Sequence, residues 1–180
     1  MDKFEEIRPY YDHEVELKLR ELASNKKVIN AFLHSRGYHN TFFNSFLGLF
    51  LSFYLSRRFK KIKSIHQYQN MYENIMEKII KDTSSGFTYN GLENLQVNTS
   101  YLFISNHRDI TLDPAFLNLA LHKNGFSTVN IAVGSNLMDK KWAADLMRLN
   151  KSFIIPRSGS SKREIYQSLN LVSEFIFNKL

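Results

Sequence analysis

Tyr-Leu-Phe-Ile-Ser-Asn-His-Arg-Asp-Ile-Thr-Leu-Asp-Pro-Ala, residues Tyr101 to Ala115, runs an apolar tetrapeptide into a polar loop and then into the start of a helix. Tyr101 to Ile104 reads as a buried β-strand, a short apolar run that ends at polar residues. Asn106 to Leu112 reads as a polar turn. Asp113-Pro114 then reads as an N-cap followed by proline in the first helical position, where its missing N–H costs nothing. His107, Asp109 and Asp113 are thereby expected beyond the carboxyl end of a strand, where open α/β sheets gather their ligands.

The flanking sequence alternates in the same way. Upstream, Ser64 can cap a helix running to Lys81, with Ile65, Tyr68, Met71, Tyr72, Ile75, Met76 and Ile79 at i, i+3, i+4 spacing. That stripe predicts packing against a sheet rather than a cofactor box. Phe87 to Tyr89 reads as a short strand and Asn90-Gly91 as a tight turn. Downstream, a helix over Pro114 to Lys123 stops at Asn124-Gly125, and a strand follows over Thr128 to Val133. Asp139 to Leu149 reads as a helix and Ser152 to Ile155 as a strand. Ser161-Lys162-Arg163-Glu164 is a capping box for a last helix whose apolar face takes in Ile165, Leu169, Val172 and Ile176. The pattern predicts an α/β fold, a mostly parallel sheet flanked by helices, over residues 64–180. Residues 1–63 form a separate helical, membrane-leaning region, with helical stretches over Asp12 to Asn25 and Lys26 to His39.

In a chain of 180 residues, 24 Lys and Arg against 17 Asp and Glu give a net charge of +7, which favours anionic partners. The absence of cysteine excludes disulfides, a thiolate nucleophile and an acyl-cysteine mechanism. Met1 to Arg20 is charged throughout and lacks the apolar core of a secretory signal, so a cytoplasmic location is expected. Phe42 to Leu55 is the strongly apolar stretch, and it falls short of the roughly 20 residues needed to span a bilayer. Arg57, Arg58, Lys60, Lys61 and Lys63 follow it directly. Together they predict an interfacial or re-entrant helix facing anionic phospholipid headgroups, on the cytoplasmic face of the inner or cell membrane. The basic run lacks interleaved stacking residues beyond Phe59, so nucleic acid is not an expected partner.

The Tyr101 to Ala115 block resembles the glycerolipid acyltransferases, whose first motif is Asn-His-x4-Asp; here five residues separate His107 from Asp113. Two other segments carry the same resemblance. Gly91-Leu92-Glu93-Asn94-Leu95 is similar to the short segment that precedes the family's strand. Phe153-Ile154-Ile155-Pro156-Arg157 is similar to its second motif, an apolar strand ending in an arginine that contacts the acceptor's phosphate. The similarity runs from about Ser64 to the last residue. It implies a glycerol-3-phosphate or 1-acylglycerol-3-phosphate acyltransferase of phospholipid biosynthesis. Such an enzyme moves a fatty acyl group from a coenzyme A or acyl carrier protein thioester to a phosphorylated glycerol or lysophospholipid hydroxyl. Nothing after Arg157 resembles the family's third motif, Glu-Gly-x-Arg, or its proline-containing fourth. The reading is therefore of a fragment, the N-terminal part of the α/β domain.

Under this resemblance His107 is the general base, since an imidazole of ordinary pKa about 6.5 can take a hydroxyl proton near neutrality. Its carboxylate partner is Asp113 by position at the helix start or Asp109 by proximity. The thioester is already activated, so no bound cofactor and no covalent intermediate are expected. Arg157 is the phosphate-binding arginine by resemblance. Lys162 and Arg163 join it through the chemistry of the small-residue loop between them, which leads into a helix N-terminus. No metal is expected, although His107, Asp109 and Asp113 would be the ligands of a metal-dependent hydrolase, which His122 could approach in space. The other competing reading is a catalytically inactive module that binds membrane surfaces or phosphorylated lipids.

Overall fold

A computed structural model of the chain describes residues 2–35, 37–38, 41–106, 108–157 and 161–180. The elements in order are α1 (Asp12–Ser24), α2 (Lys26–Ser35), α3 (Thr41–Phe59), α4 (Ile65–Thr83), α5 (Leu112–Lys123), β1 (Ile131–Gly134), α6 (Lys141–Leu149), β2 (Ser152–Ile155) and α7 (Lys162–Lys179). Their contacts divide the chain into two compact units, one of Met1–Gln69 with Ala132–Leu180 and one of Asn70–Ile131.

In the first unit β1 and β2 form a two-stranded parallel sheet joined through α6. The core on β2 is built by Phe153 with Val172 and Phe175 of α7 and, from the N-terminal segment, Phe4 and Ile7. Phe175 sits edge-on to Phe4 with ring centroids 5.5 Å apart and at the same distance from Phe153, the offset geometry that aromatic quadrupoles favour. The N–H of Ile154 donates to the Ile7 carbonyl at 2.8 Å, so the N-terminal segment also satisfies the edge of β2. α7 buries Val172 and Phe175 while Ile165, Leu169 and Ile176 remain exposed, so its packed face is turned from the predicted one. The Ser161 hydroxyl accepts from the Glu164 N–H at 3.3 Å, the capping contact that opens the helix.

α1, α2 and α3 pack on one another, and Gly48 of α3 lies where a Cβ would stand 3.2 Å from the Ile29 side chain of α2. No helix among the described residues is long and apolar enough to cross a membrane.

In the second unit α4 packs on α5 through Met76, Ala115 and Leu119, with Tyr72, Ile80, Phe87, Leu112 and Phe116 around them. The predicted stripe is thus rotated, since Ile75 and Ile79 are exposed, and it meets a helix where a sheet was expected. α5 closes on a Schellman motif. Gly125, at φ 75°, donates to the His122 carbonyl and Phe126 to that of Leu121, which is why Asn124-Gly125 stops the helix.

Among the described residues the mostly parallel sheet predicted from four strands is corrected to two strands. Phe87 to Tyr89 and Tyr101 to Ile104 carry no ladder, and Thr128 to Asn130 lie outside β1. Residues 101–104 keep an alternation, but it leaves Leu102 86% and Ile104 87% exposed instead of buried. An apolar run fixes extended backbone; a strand also needs a neighbouring edge to exchange hydrogen bonds with, and that is not a property of the run.

Candidate active site

His107 lies outside the described residues, and the carboxylates predicted to serve it are ordered by backbone amides of their own loop. The N–H groups of Arg108 and Asp109 both donate to Oδ2 of Asp113, at 2.6 and 3.0 Å. The N–H groups of Thr111 and Leu112 both donate to Oδ1 of Asp109, each at 2.8 Å. Asp109 therefore satisfies the first orphan donors of α5, and the helix begins at Leu112. Asp113 is not the N-cap, and Pro114 stands third in the helix, where its missing N–H is still outside the intrahelical ladder. The predicted pair of Asp109 and Asp113 is brought together in one turn, with Asp113 half-buried and Asp109 exposed. The turn presents fixed, negatively charged oxygens, the arrangement that can hold an imidazolium.

The second predicted group belongs to the first unit. Arg157 follows β2 and Pro156, and its N–H donates to the Ser135 hydroxyl, just beyond β1, at 2.9 Å. Both residues thus sit at the carboxyl ends of parallel strands, the edge where α/β sheets bind ligands. A Cβ built on Gly134 would stand 2.6 Å from Arg157 Nε and from Asn136 Oδ1, so the arginine stem lies directly over the glycine. Lys162 and Arg163 are exposed in the first turn of α7, where the unpaired N–H groups of a helix start favour an anion. Their companions Ser158, Gly159 and Ser160 lie outside the described residues.

Among the described residues, no three His, Asp or Glu side chains gather as metal ligands. His122, considered as a metal ligand, stands with Nε2 3.3 Å from Glu73 of α4.

Residues 86–174 match the acyltransferase family model. No curated protein and no solved structure matches the chain. The acyltransferase match supports that family and a general acyltransferase function. Its span takes in every candidate named above: His107, Asp109, Asp113, Arg157, Lys162 and Arg163. Two features of the matched segment escaped the sequence reading. The capping role of Asp109 was signalled by its place three residues before Leu112. The support of Arg157 by Gly134 and Ser135 was signalled by a glycine and a hydroxyl at the end of the strand run.

Proposed function

We propose that this chain is a membrane-associated O-acyltransferase. It transfers a fatty acyl group from a coenzyme A or acyl carrier protein thioester to the hydroxyl of a glycerol-phosphate or lysophospholipid. The reading is carried by the acyltransferase match over residues 86–174, which includes both the His107 to Asp113 turn and Arg157. His107 takes the proton of the acceptor hydroxyl as its oxygen attacks the thioester carbonyl; the carbon–sulfur bond breaks, and the imidazolium returns that proton to the leaving thiolate. Asp113 stabilises the imidazolium. Its Oδ2 is already oriented by two amides, which removes the entropic cost of aiming it during the reaction. Arg157, with Lys162 and Arg163, receives the acceptor's phosphate as charge-assisted donors.

The membrane part of the reading rests on α3. Phe46, Leu49, Phe50, Phe53 and Tyr54 form an exposed stripe at i, i+3, i+4 spacing, 52–77% exposed, and the cations Arg57, Arg58, Lys60 and Lys61 follow it. A helix of that kind suits the interface of a bilayer with its cations on anionic headgroups, which supports the cytoplasmic membrane face as the site of action.

His107→Ala in the acyl-transfer assay, with glycerol 3-phosphate or lysophosphatidate as acceptor, tests the assignment. A loss of about 10²- to 10⁴-fold in turnover is expected for removal of a general base; unchanged turnover would sink it.

A further inference from the structure

We propose that Gly134 and Ser135 are positioning residues that hold the Arg157 side chain in the orientation that binds the acceptor's phosphate, an inference that rests on the phosphate reading of Arg157. The backbone of Gly134 has φ −67° and ψ 140°, extended values open to any residue, so glycine is not there for conformational freedom. It is there for space. A Cβ at Gly134 would be 2.6 Å from Arg157 Nε, 3.1 Å from Arg157 Cδ and 2.6 Å from Asn136 Oδ1. Real carbon atoms do not approach that closely, so the guanidinium stem occupies the room that a side chain would fill. Ser135 fixes the other end of the same residue. Pro156 has no N–H to give, which makes Arg157 the first donor after β2, and the Ser135 hydroxyl accepts from it at 2.9 Å. One contact locates the main chain of Arg157 and the other presses its side chain onto β1. An exposed arginine otherwise loses a large rotamer entropy on grasping a ligand, and this seat removes much of that loss beforehand.

Glycerol 3-phosphate binding to the full chain tests the proposal, read by calorimetry and by the Nε–Hε resonance of Arg157, assigned with Arg157→Lys. Gly134→Ala keeps an allowed backbone, and the clashing atoms are ends of side chains that can swing away, so the variant is expected to fold. It should bind glycerol 3-phosphate about three- to tenfold more weakly, the cost of ordering one long side chain. The Arg157 resonance should move toward its solvent-exposed position. Ser135→Ala should weaken binding in the same direction, and neither variant should weaken it further in an Arg157→Ala background. Weaker binding in Arg157→Ala with none in Gly134→Ala would overturn the proposal alone. Binding unmoved by Arg157→Ala itself, or absent in the wild type, would overturn the phosphate reading and the proposal with it.

Discussion

Two carboxylates four residues apart have divided their work. Asp109 Oδ1 holds the amides that open α5, and Asp113 Oδ2 holds the amides of Arg108 and Asp109 that form the turn. Removing each should therefore injure a different property. Asp113→Asn keeps an oxygen able to accept both amides but loses the charge that would stabilise His107 as it takes a proton. We expect turnover about 10²- to 10⁴-fold lower, with the melting temperature nearly unchanged. Asp109→Ala deletes a helix cap worth about 1 kcal/mol, which for a chain of this size is a melting temperature lower by about 2–4 °C. Acyl-transfer rates and thermal melts on both variants check this, and the assignment fails if Asp109→Ala is the more damaging to turnover at a temperature where both are folded. The candidates themselves were legible because His, Asp and Arg at a loop are chemically conspicuous. Their ordering was not: Asp113-Pro114 offers the familiar cap signal, and only the competing bonds of Asp109 move the helix start back to Leu112.

α4 and α7 begin where Ser64 and Ser161 were expected to cap them, and α1 and α2 start at the first residues of the expected helical stretches, because those signals are local and helices make their own hydrogen bonds. Which face a helix buries is set by its neighbours. Hence the turned faces of α4 and α7 and the exposed run of Tyr101 to Ile104, all apolar in sequence and resolved only by what stands opposite. α3 is the element whose outward face has the clearest consequence. Arg57 lies over the Phe53 ring at 5.3 Å and Arg58 stands 3.5 Å from the Tyr54 hydroxyl, so apolar stripe and cations form one surface. Lys63 is occupied by Glu16 and adds less to it. Each phenylalanine transferred to the acyl boundary contributes about 1.5–3 kcal/mol, and each cation near an anionic surface about 1 kcal/mol. Phe50→Glu with Phe53→Glu should abolish sedimentation with lipid vesicles of any charge. Arg57→Ala with Arg58→Ala should weaken it about tenfold or more on anionic vesicles only, with high salt imitating the change. Vesicle binding indifferent to both pairs of substitutions would remove the interfacial role of α3.

The fold of the first unit depends on fastening residues 2–11 to segments more than a hundred positions later. Arg148 Nε donates to the Arg8 carbonyl at 2.8 Å, and its guanidinium lies 4.3 Å from the centroid of the Tyr10 ring. Tyr10, buried, donates its hydroxyl to Asp145 Oδ1 of α6 at 2.6 Å, while Lys141 donates to the other oxygen of Asp145 at 2.7 Å. Burial, and then the hydrogen bond to Asp145, raise the pKa of Tyr10 above its ordinary value of 10.0. A raised pKa means that the folded chain keeps a proton the unfolded chain gives up. The stabilisation it represents is whole below the unfolded value and declines as pH climbs from there toward the folded one. Tyr10→Phe leaves Asp145 without that donor and should cost about 1–3 kcal/mol at neutral pH. Denaturant melts of both proteins across the alkaline range separate this tyrosine from the others. The stability gap between wild type and Tyr10→Phe should hold constant up to about pH 10 and shrink above it. A gap that is constant through the alkaline range, or that widens, would mean that the Tyr10–Asp145 contact does not tie the N-terminal segment to α6.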